Sequence, residues 1–202
     1  MPDLSFEHQH PAPVCGVDEA GRGPWAGPVV AAAVVLDMAD VPAGLDDSKK
    51  LSAKRRVALC AEIKARARWG VGVASVDEID ALNILRANDL AMGRAVAGLG
   101  AVFALIDGNR VPPAFPLPAR AIVKGDSLSL SIAAASIIAK VTRDAIMAEL
   151  ALAYPGYGWE TNAGYGVAAH MAGLKTLGVT PHHRRSFKPI HKMLCEENNI
   201  TL

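Results

Sequence analysis

The sequence predicts an α/β fold, a mixed sheet of about five strands flanked by helices. Three observations carry this. Short runs rich in Val, Ile and Ala alternate with longer stretches of helical periodicity. The first two runs, Val14 to Glu19 and Val29 to Leu36, are joined by so short a loop that they must pair antiparallel. A long Ala- and Ser-rich segment, residues 127–154, has little side-chain bulk and can lie close against a sheet. With 202 residues, 51% of them hydrophobic, the chain has enough apolar material for one core, and a single domain over residues 1–202 is expected.

The elements follow in order. Residues 1–12 are polar and Pro-rich and are expected to form a loose, flexible tail. After the two strands, Ser52 is placed to cap a helix of moderate amphipathicity, with apolar residues at Val57, Ala58, Cys60, Ala61 and Ile63. Residues 69–76, "WGVGVASV", make a third strand. Ser75 and Glu78 have capping-box spacing ahead of one helix running to Gly98. "VFALIDG" is a strand that stops at Gly108, and the four prolines of "VPPAFPLPA" require an extended loop. "RAIVKGD" is a short strand leading into the long helix. "YPGYGW" ends that helix, and residues 167–177 form another.

Composition narrows the function. The net charge is +1, but nine of the 21 Lys and Arg residues fall in two clusters. One is Lys49, Lys50, Lys54, Arg55 and Arg56; the other is Arg184, Arg185, Lys188 and Lys192. Either can be a solvated face or a phosphate contact. His182, His183, Arg184 and Arg185 read equally as a second phosphate contact or as an exposed basic loop. Three scattered cysteines form no CxxC pair, which argues against a disulfide framework or a zinc site and fits a reducing cytoplasm. No apolar run approaches the roughly 20 residues of a membrane span, so no membrane partner is expected.

Acidic residues supply the chemistry. Asp18 and Glu19 precede Gly21, Asp107 precedes Gly108, and Asp126 follows Gly125. Sites in open α/β sheets lie where strands end, and glycine there lets a ligand approach the backbone. Carboxylates converging from several strands repel one another unless a cation lies between them, and oxygen donors without thiolates or imidazoles suit Mg²⁺ or Mn²⁺. Asp126 can equally be a helix cap, and Asp107 with Gly108 and Asn109 a plain turn. Asp144, one turn beyond Lys140, reads as an i,i+4 ion pair. Neighbours along a strand face opposite ways, so the strand is expected to end or kink at Glu19 if Glu19 is to join Asp18. The loose G-x-G spacing in "GRGPWAG" is not a dinucleotide site, because Pro24 and Pro28 interrupt it and a strand rather than a helix follows.

The motifs "GVDEAGRGPWAGPVVAAAVVL", "DSKKLS", "LIDGN", "VKGDSLSLSIAAASIIAKVTRD", Gly164–Tyr165 and "HHRRSF", in this order from about Val14 to Pro189, resemble bacterial ribonuclease HII. The resemblance implies a ribonuclease H-like fold with a helical C-terminal extension over about residues 155–202. It implies a metal-dependent endonuclease that hydrolyses the RNA strand of RNA–DNA hybrids. It also implies cleavage on the 5′ side of single ribonucleotides embedded in duplex DNA, leaving 3′-hydroxyl and 5′-phosphate ends. Carried over, Asp18, Glu19, Asp107 and Asp126 are the catalytic, metal-binding carboxylates for Mn²⁺ or Mg²⁺. Gly21, Arg22 and Gly23 match the motif that senses the ribose 2′-hydroxyl. Tyr165 matches the tyrosine that stacks at the ribonucleotide–deoxyribonucleotide junction. Ser48, Lys49 and Lys50, just before a helix start where cations are disfavoured, are expected to contact the nucleic-acid backbone. A cytoplasmic monomer is expected. Two rivals stay open: another nuclease of the same fold that needs a run of ribonucleotides, and a non-catalytic nucleic-acid-binding protein.

Overall fold

A computed structural model describes residues 1–199, with side chains through Glu196; residues 200–202 of the expected C-terminal extension lie outside the described residues. Five strands form one mixed sheet: β1 (Val14–Ala20), β2 (Val29–Val35), β3 (Arg68–Ala74), β4 (Phe103–Asp107) and β5 (Ala119–Ile122), in the order β3-β2-β1-β4-β5. β1 pairs antiparallel with β2 and parallel with β4, so it lies at the centre. The short Gly/Pro loop gives the antiparallel pair; the parallel pair needs the long crossover through the helices between β2 and β4.

Helices cover both faces. One face of β1 and β2, with Cys15, Val17, Ala31 and Ala33, packs on Ala87, Ala91 and Ala95 of α3 (Ile84–Val96). The other face, with Ala32 and Val34, packs on the alanines and isoleucines of α4 (Leu130–Ala153) and on Leu59 and Ile63 of α1 (Ala53–Arg66). α4 is buried without a break from Ser131 to Ala139, as its small side chains predict. Close packing fixes Gly16: a Cβ there would lie 2.1 Å from the Ser131 backbone. Gly16→Ala must push β1 away from α4, and it is expected to cost about 2–4 kcal/mol, read as a lowered unfolding midpoint.

Ser52 and Ser75 cap α1 and α2 (Val76–Leu82) as predicted, Ser75 within a full capping box with Glu78. The single helix expected from there to Gly98 is in fact two. Asn83 takes a positive φ of 69° and its side chain accepts from the N–H groups of Leu85 and Arg86, ending α2 and capping α3 in one residue. α5 (Trp159–Asn162), α6 (Ala168–Leu177) and α7 (Lys188–Asn199) complete the chain and lie where the family resemblance implies a helical C-terminal extension, although the sequence pattern by itself marks no helix at α7.

Residues 1–12 are not a loose tail. Glu7 is only 2% exposed, and its Oε1 accepts from the hydroxyls of Ser129 and Ser131 and from the Ser131 N–H. It thereby satisfies the first turn of α4 from outside the helix. His10 stacks on Phe103 with ring centroids 3.9 Å apart.

Candidate active site

Asp18 and Asp107 come together because β1 and β4 are parallel and in register, Gly16 beside Leu105 and Val17 beside Ile106. Alternation puts both carboxylates on the α4 side of the sheet, Asp18 beside Ala32 and Asp107 two residues beyond Leu105, which packs on Ile132. Asp126 arrives by another route. β5 ends at Ile122, and Lys124, at φ 56°, turns the chain into a single 3-10 turn, Gly125–Ser127. The Gly125 N–H donates to Asp107 Oδ1 at 2.7 Å and locks the turn beside β4. Asp126 is therefore neither a strand end nor the cap of α4, for Ser129 accepts from Ile132 and caps that helix. The result is a cluster in which Asp18, Asp107 and Asp126 each offer an oxygen within 4.8 Å of the others.

Glu19 departs from expectation. β1 stays regular through Ala20, pairing Asp18 with Ala32 and Glu19 with Ala31, so alternation holds and the two acids take opposite faces. The break comes at Gly21, with φ 96°. Glu19 lies on the α3 side and lines a cavity with Asn88, Asp107 and Gly108, outside the triad but sharing Asp107 with it. Its Oε1 accepts from Arg22 at 3.2 Å. Asn88 gave no sequence signal: it is buried, its Oδ1 has no protein partner among the described residues, and it reads as an ordinary polar residue of an amphipathic helix.

Charge in the cluster is frustrated. Burial first, then Glu19 and Asp107, hold the Asp18 carboxyl well above the usual carboxylate range. Burial and then Asp107 and Asp47 raise Asp126, against the pull of Lys49, whose Nζ is 3.8 Å away. Burial also raises Glu19, with Arg22 opposing. Buried oxygens that raise one another's pKa form a donor set that a hard divalent cation satisfies, so the residues fit Mg²⁺ or Mn²⁺.

A second cavity of about 300 Å³ borders Glu19 on the other side and is lined by Gly21, Arg22, Gly23, Ser48, Lys49 and Tyr165 among others. The structure thus brings these candidates together around one opening. Tyr165 is 46% exposed, and its ring edge would lie 3.4 Å from a Cβ on Gly23. Ser48 is buried, its hydroxyl accepting from Ser136, so it walls the cavity from within. Lys49 reaches across to Asp126. Lys50 is tied to Asp46 and to Ser127, and so braces the turn that carries Asp126.

What sequence reading missed is the clamp beneath the glycine loop. Arg184 is neither an exposed basic residue nor a phosphate contact: it is 0% exposed. Its guanidinium donates to the carbonyls of Gly21, Arg22, Gly27 and Pro28 at 2.6–3.1 Å. Burial and the nearby charge of Arg143 push it down to about 9. Arg143, also buried, donates to Pro28, Ala163 and Ala26, and its side chain fills the space a Cβ on Gly21 would need. With the Gly21 and Arg22 carbonyls engaged, the N–H groups of Arg22 and Gly23 have no protein acceptor among the described residues. The only hint in the sequence is an arginine-rich motif with no amphipathic face to place it on. The i,i+4 pair Lys140–Asp144 is present at 2.7 Å.

The sheet and its converging carboxylates define a class, the acidic-site nucleases built on a ribonuclease H-like sheet. The family model described as Ribonuclease HII matches residues 15–190, and the chain belongs to that family, whose members cleave the RNA of RNA–DNA hybrids. It is 61% identical to the Ribonuclease HII of Ruegeria sp. (strain TM1040) over 97% of this chain and 88% of the relative. It is 63% identical to that of Magnetococcus marinus over 90% and 87%. The crystal structure of ribonuclease H2 from Pyrococcus horikoshii superposes with a TM-score of 0.76 at 27% identity, covering 92% of this chain and 98% of that one. The RNase HII of Archaeoglobus fulgidus, solved with PCNA, gives 0.74 at 29% identity, covering 87% and 95%. No helix among the described residues is long and apolar enough to cross a membrane.

Proposed function

We propose that this ribonuclease cuts on the 5′ side of a single ribonucleotide embedded in duplex DNA, as well as within longer hybrids, and that it needs Mg²⁺ or Mn²⁺. One observation carries the reading. The triad of Asp18, Asp107 and Asp126 is joined through Lys49, which reaches Asp126, and through Glu19 to the cavity that the glycine loop and the exposed Tyr165 line. Asp18, Asp107, Asp126 and, from the far side of β1, Glu19 would hold the cations. Bound there, divalent ions lower the pKa of a hydrolytic water and neutralise charge on the leaving oxygen. The chain's own residues do the selecting. A ribose 2′-hydroxyl can accept from the N–H groups of Arg22 and Gly23, which have no protein acceptor among the described residues, and this marks RNA from DNA. Tyr165 offers a ring face to the adjoining sugar or base without reading sequence. Lys49 sits where it can meet a phosphate beside Asp126.

The test is one DNA duplex with a single ribonucleotide, incubated with Mg²⁺, Mn²⁺ or chelator. Cleavage at the ribonucleotide with metal, leaving 3′-hydroxyl and 5′-phosphate ends, and none with chelator, is the expected result. No cut with either metal sinks the reading, and cutting only in runs of ribonucleotides points instead to the rival nuclease specificity that needs such a run.

The lysines can be tested separately. Replacing Lys49 and Lys50 by Gln should weaken binding and flatten its salt dependence, by about 0.7–0.9 in log–log slope for each phosphate that is no longer neutralised. Most of the change should come from Lys49, because Lys50 already has Asp46 and Ser127 as partners. An unchanged slope in the Lys49→Gln protein removes that residue from the nucleic-acid interface.

A further inference from the structure

Behind Tyr165 lies a buried pair of imidazoles that the hydrolytic chemistry does not use. His170 on α6 and His183 are 0% and 1% exposed. Their Nε2 atoms are 3.0 Å apart, close enough that one must donate to the other. The partners fix the direction. The Thr180 N–H, which can only donate, points at His183 Nδ1 at 2.9 Å, so His183 carries its proton on Nε2. The Trp159 indole N–H, also only a donor, points at His170 Nε2 at 3.1 Å. His170 Nε2 therefore accepts from both Trp159 and His183, and its proton sits on Nδ1. That nitrogen lies 3.0 Å from the carbonyl of Tyr165. All four ring nitrogens are satisfied by this arrangement and by no other neutral one. A second proton on either ring would set two donors face to face, and burial, first among the causes, holds both histidines below their ordinary value.

The chain of bonds thus runs one way, from the Thr180 amide through His183 and His170 to the Tyr165 backbone. The same short segment carries Arg184 next to His183, and the Gly27 N–H donates to the His182 carbonyl at 2.8 Å. The tyrosine and the glycine loop therefore hang on one support.

We propose that His170 is a positioning residue for Tyr165, and that His183 sets the tautomer that lets it act. The inference rests on the reading of Tyr165 as a substrate-facing residue. The hydrogen bond that His170 donates from its side chain joins that of the Val167 N–H at 2.8 Å in holding the Tyr165 carbonyl, and with it the direction in which the exposed ring leaves the backbone. His170→Asn keeps an amide N–H near the Nδ1 position; His170→Leu keeps bulk and removes the donor.

The experiment is a double-mutant cycle on a duplex with one embedded ribonucleotide, with kcat and KM measured separately. His170→Leu should lower kcat/KM about tenfold, the worth of one well-placed hydrogen bond, and His170→Asn should recover most of it. In a Tyr165→Ala background the His170 substitutions should add less than about twofold, since coupled residues are non-additive. A Tyr165→Ala defect with fully additive His170 losses overturns the proposal alone. Full activity of Tyr165→Ala overturns the reading of Tyr165 and the proposal with it. Independently of activity, nitrogen-15 spectra of the intact wild-type protein should show His170 protonated on Nδ1 and His183 on Nε2. Any other tautomer pair overturns the relay, even if the Leu variant fails to fold.

Discussion

Asp107→Asn should abolish cleavage, by about three orders of magnitude or more in kcat, while affinity for the ribonucleotide-containing duplex survives. The substitution is mild in structure. Asn keeps an Oδ1 acceptor for the Gly125 N–H, so the turn that carries Asp126 stays docked. What changes is charge at the one carboxylate shared by the triad and by the cavity of Glu19. Retained full activity removes Asp107 from the site.

The same variant should be more stable than the parent in chelator at neutral pH. Asp107 is one of the charges that raise Asp18. By linkage, an acid whose folded pKa lies above its unfolded value of 3.8 holds its proton more tightly when folded. Its contribution to stability is complete below the unfolded pKa and is lost as pH rises towards the folded one. Above that window the cluster is a standing cost. Removing one charge should raise the unfolding midpoint by about 2–4 °C, on the order of 1 kcal/mol, with the gain vanishing near about pH 3. An unchanged midpoint would mean that solvent already screens the repulsion.

Arg184→Met should have the largest effect on the fold. The Gly21, Arg22 and Gly27 carbonyls lose their guanidinium donor, while Pro28 keeps Arg143, and each buried acceptor left unpaired costs about 1–3 kcal/mol. A total of about 4–6 kcal/mol corresponds to a midpoint lower by roughly 10–20 °C in a chain of this size. Below that midpoint the protein should still cleave poorly, by about a hundredfold, because the glycine loop is no longer held at the edge of the site. Arg184→Lys should rescue little, since an ammonium cannot span acceptors laid out for a planar fork. A Met variant with a midpoint within a few degrees of the parent and normal cleavage would show that the clamp is dispensable.

Local chemistry made much of this legible. Alternating apolar runs marked the strands, Ser52 and Ser75 announced their helices, and the small residues of α4 foretold its burial. The acids stood out because an apolar strand has no packing use for Asp18 and Glu19. Features that depend on distant partners were not legible. Nothing near Arg184 in sequence shows that its acceptors lie in residues 21–28, and Glu7 looks like any tail residue until Ser129 and Ser131 meet it. Asn83 splits one helix into two through a positive φ that hydrophobic periodicity does not register. Glu19 obeys the alternation rule, and the kink expected there proved unnecessary for a subtler reason. Bordering one site does not require sharing a face, because a strand that simply stops lets acids from both faces reach over its end.

The anchoring of Glu7 also bears on how the chain is made. Its partner Ser131 lies 124 residues downstream, so this hydrogen bond waits until α4 has left the ribosome. Strand β1 is likewise without its parallel neighbour until residues 103–107 emerge. A nascent chain therefore carries Asp18 and Glu19 long before it holds a site that could bind a cation or cut RNA. Catalytic competence is thus expected late in synthesis, after α4 has settled against the sheet and Arg184 has emerged to hold the glycine loop.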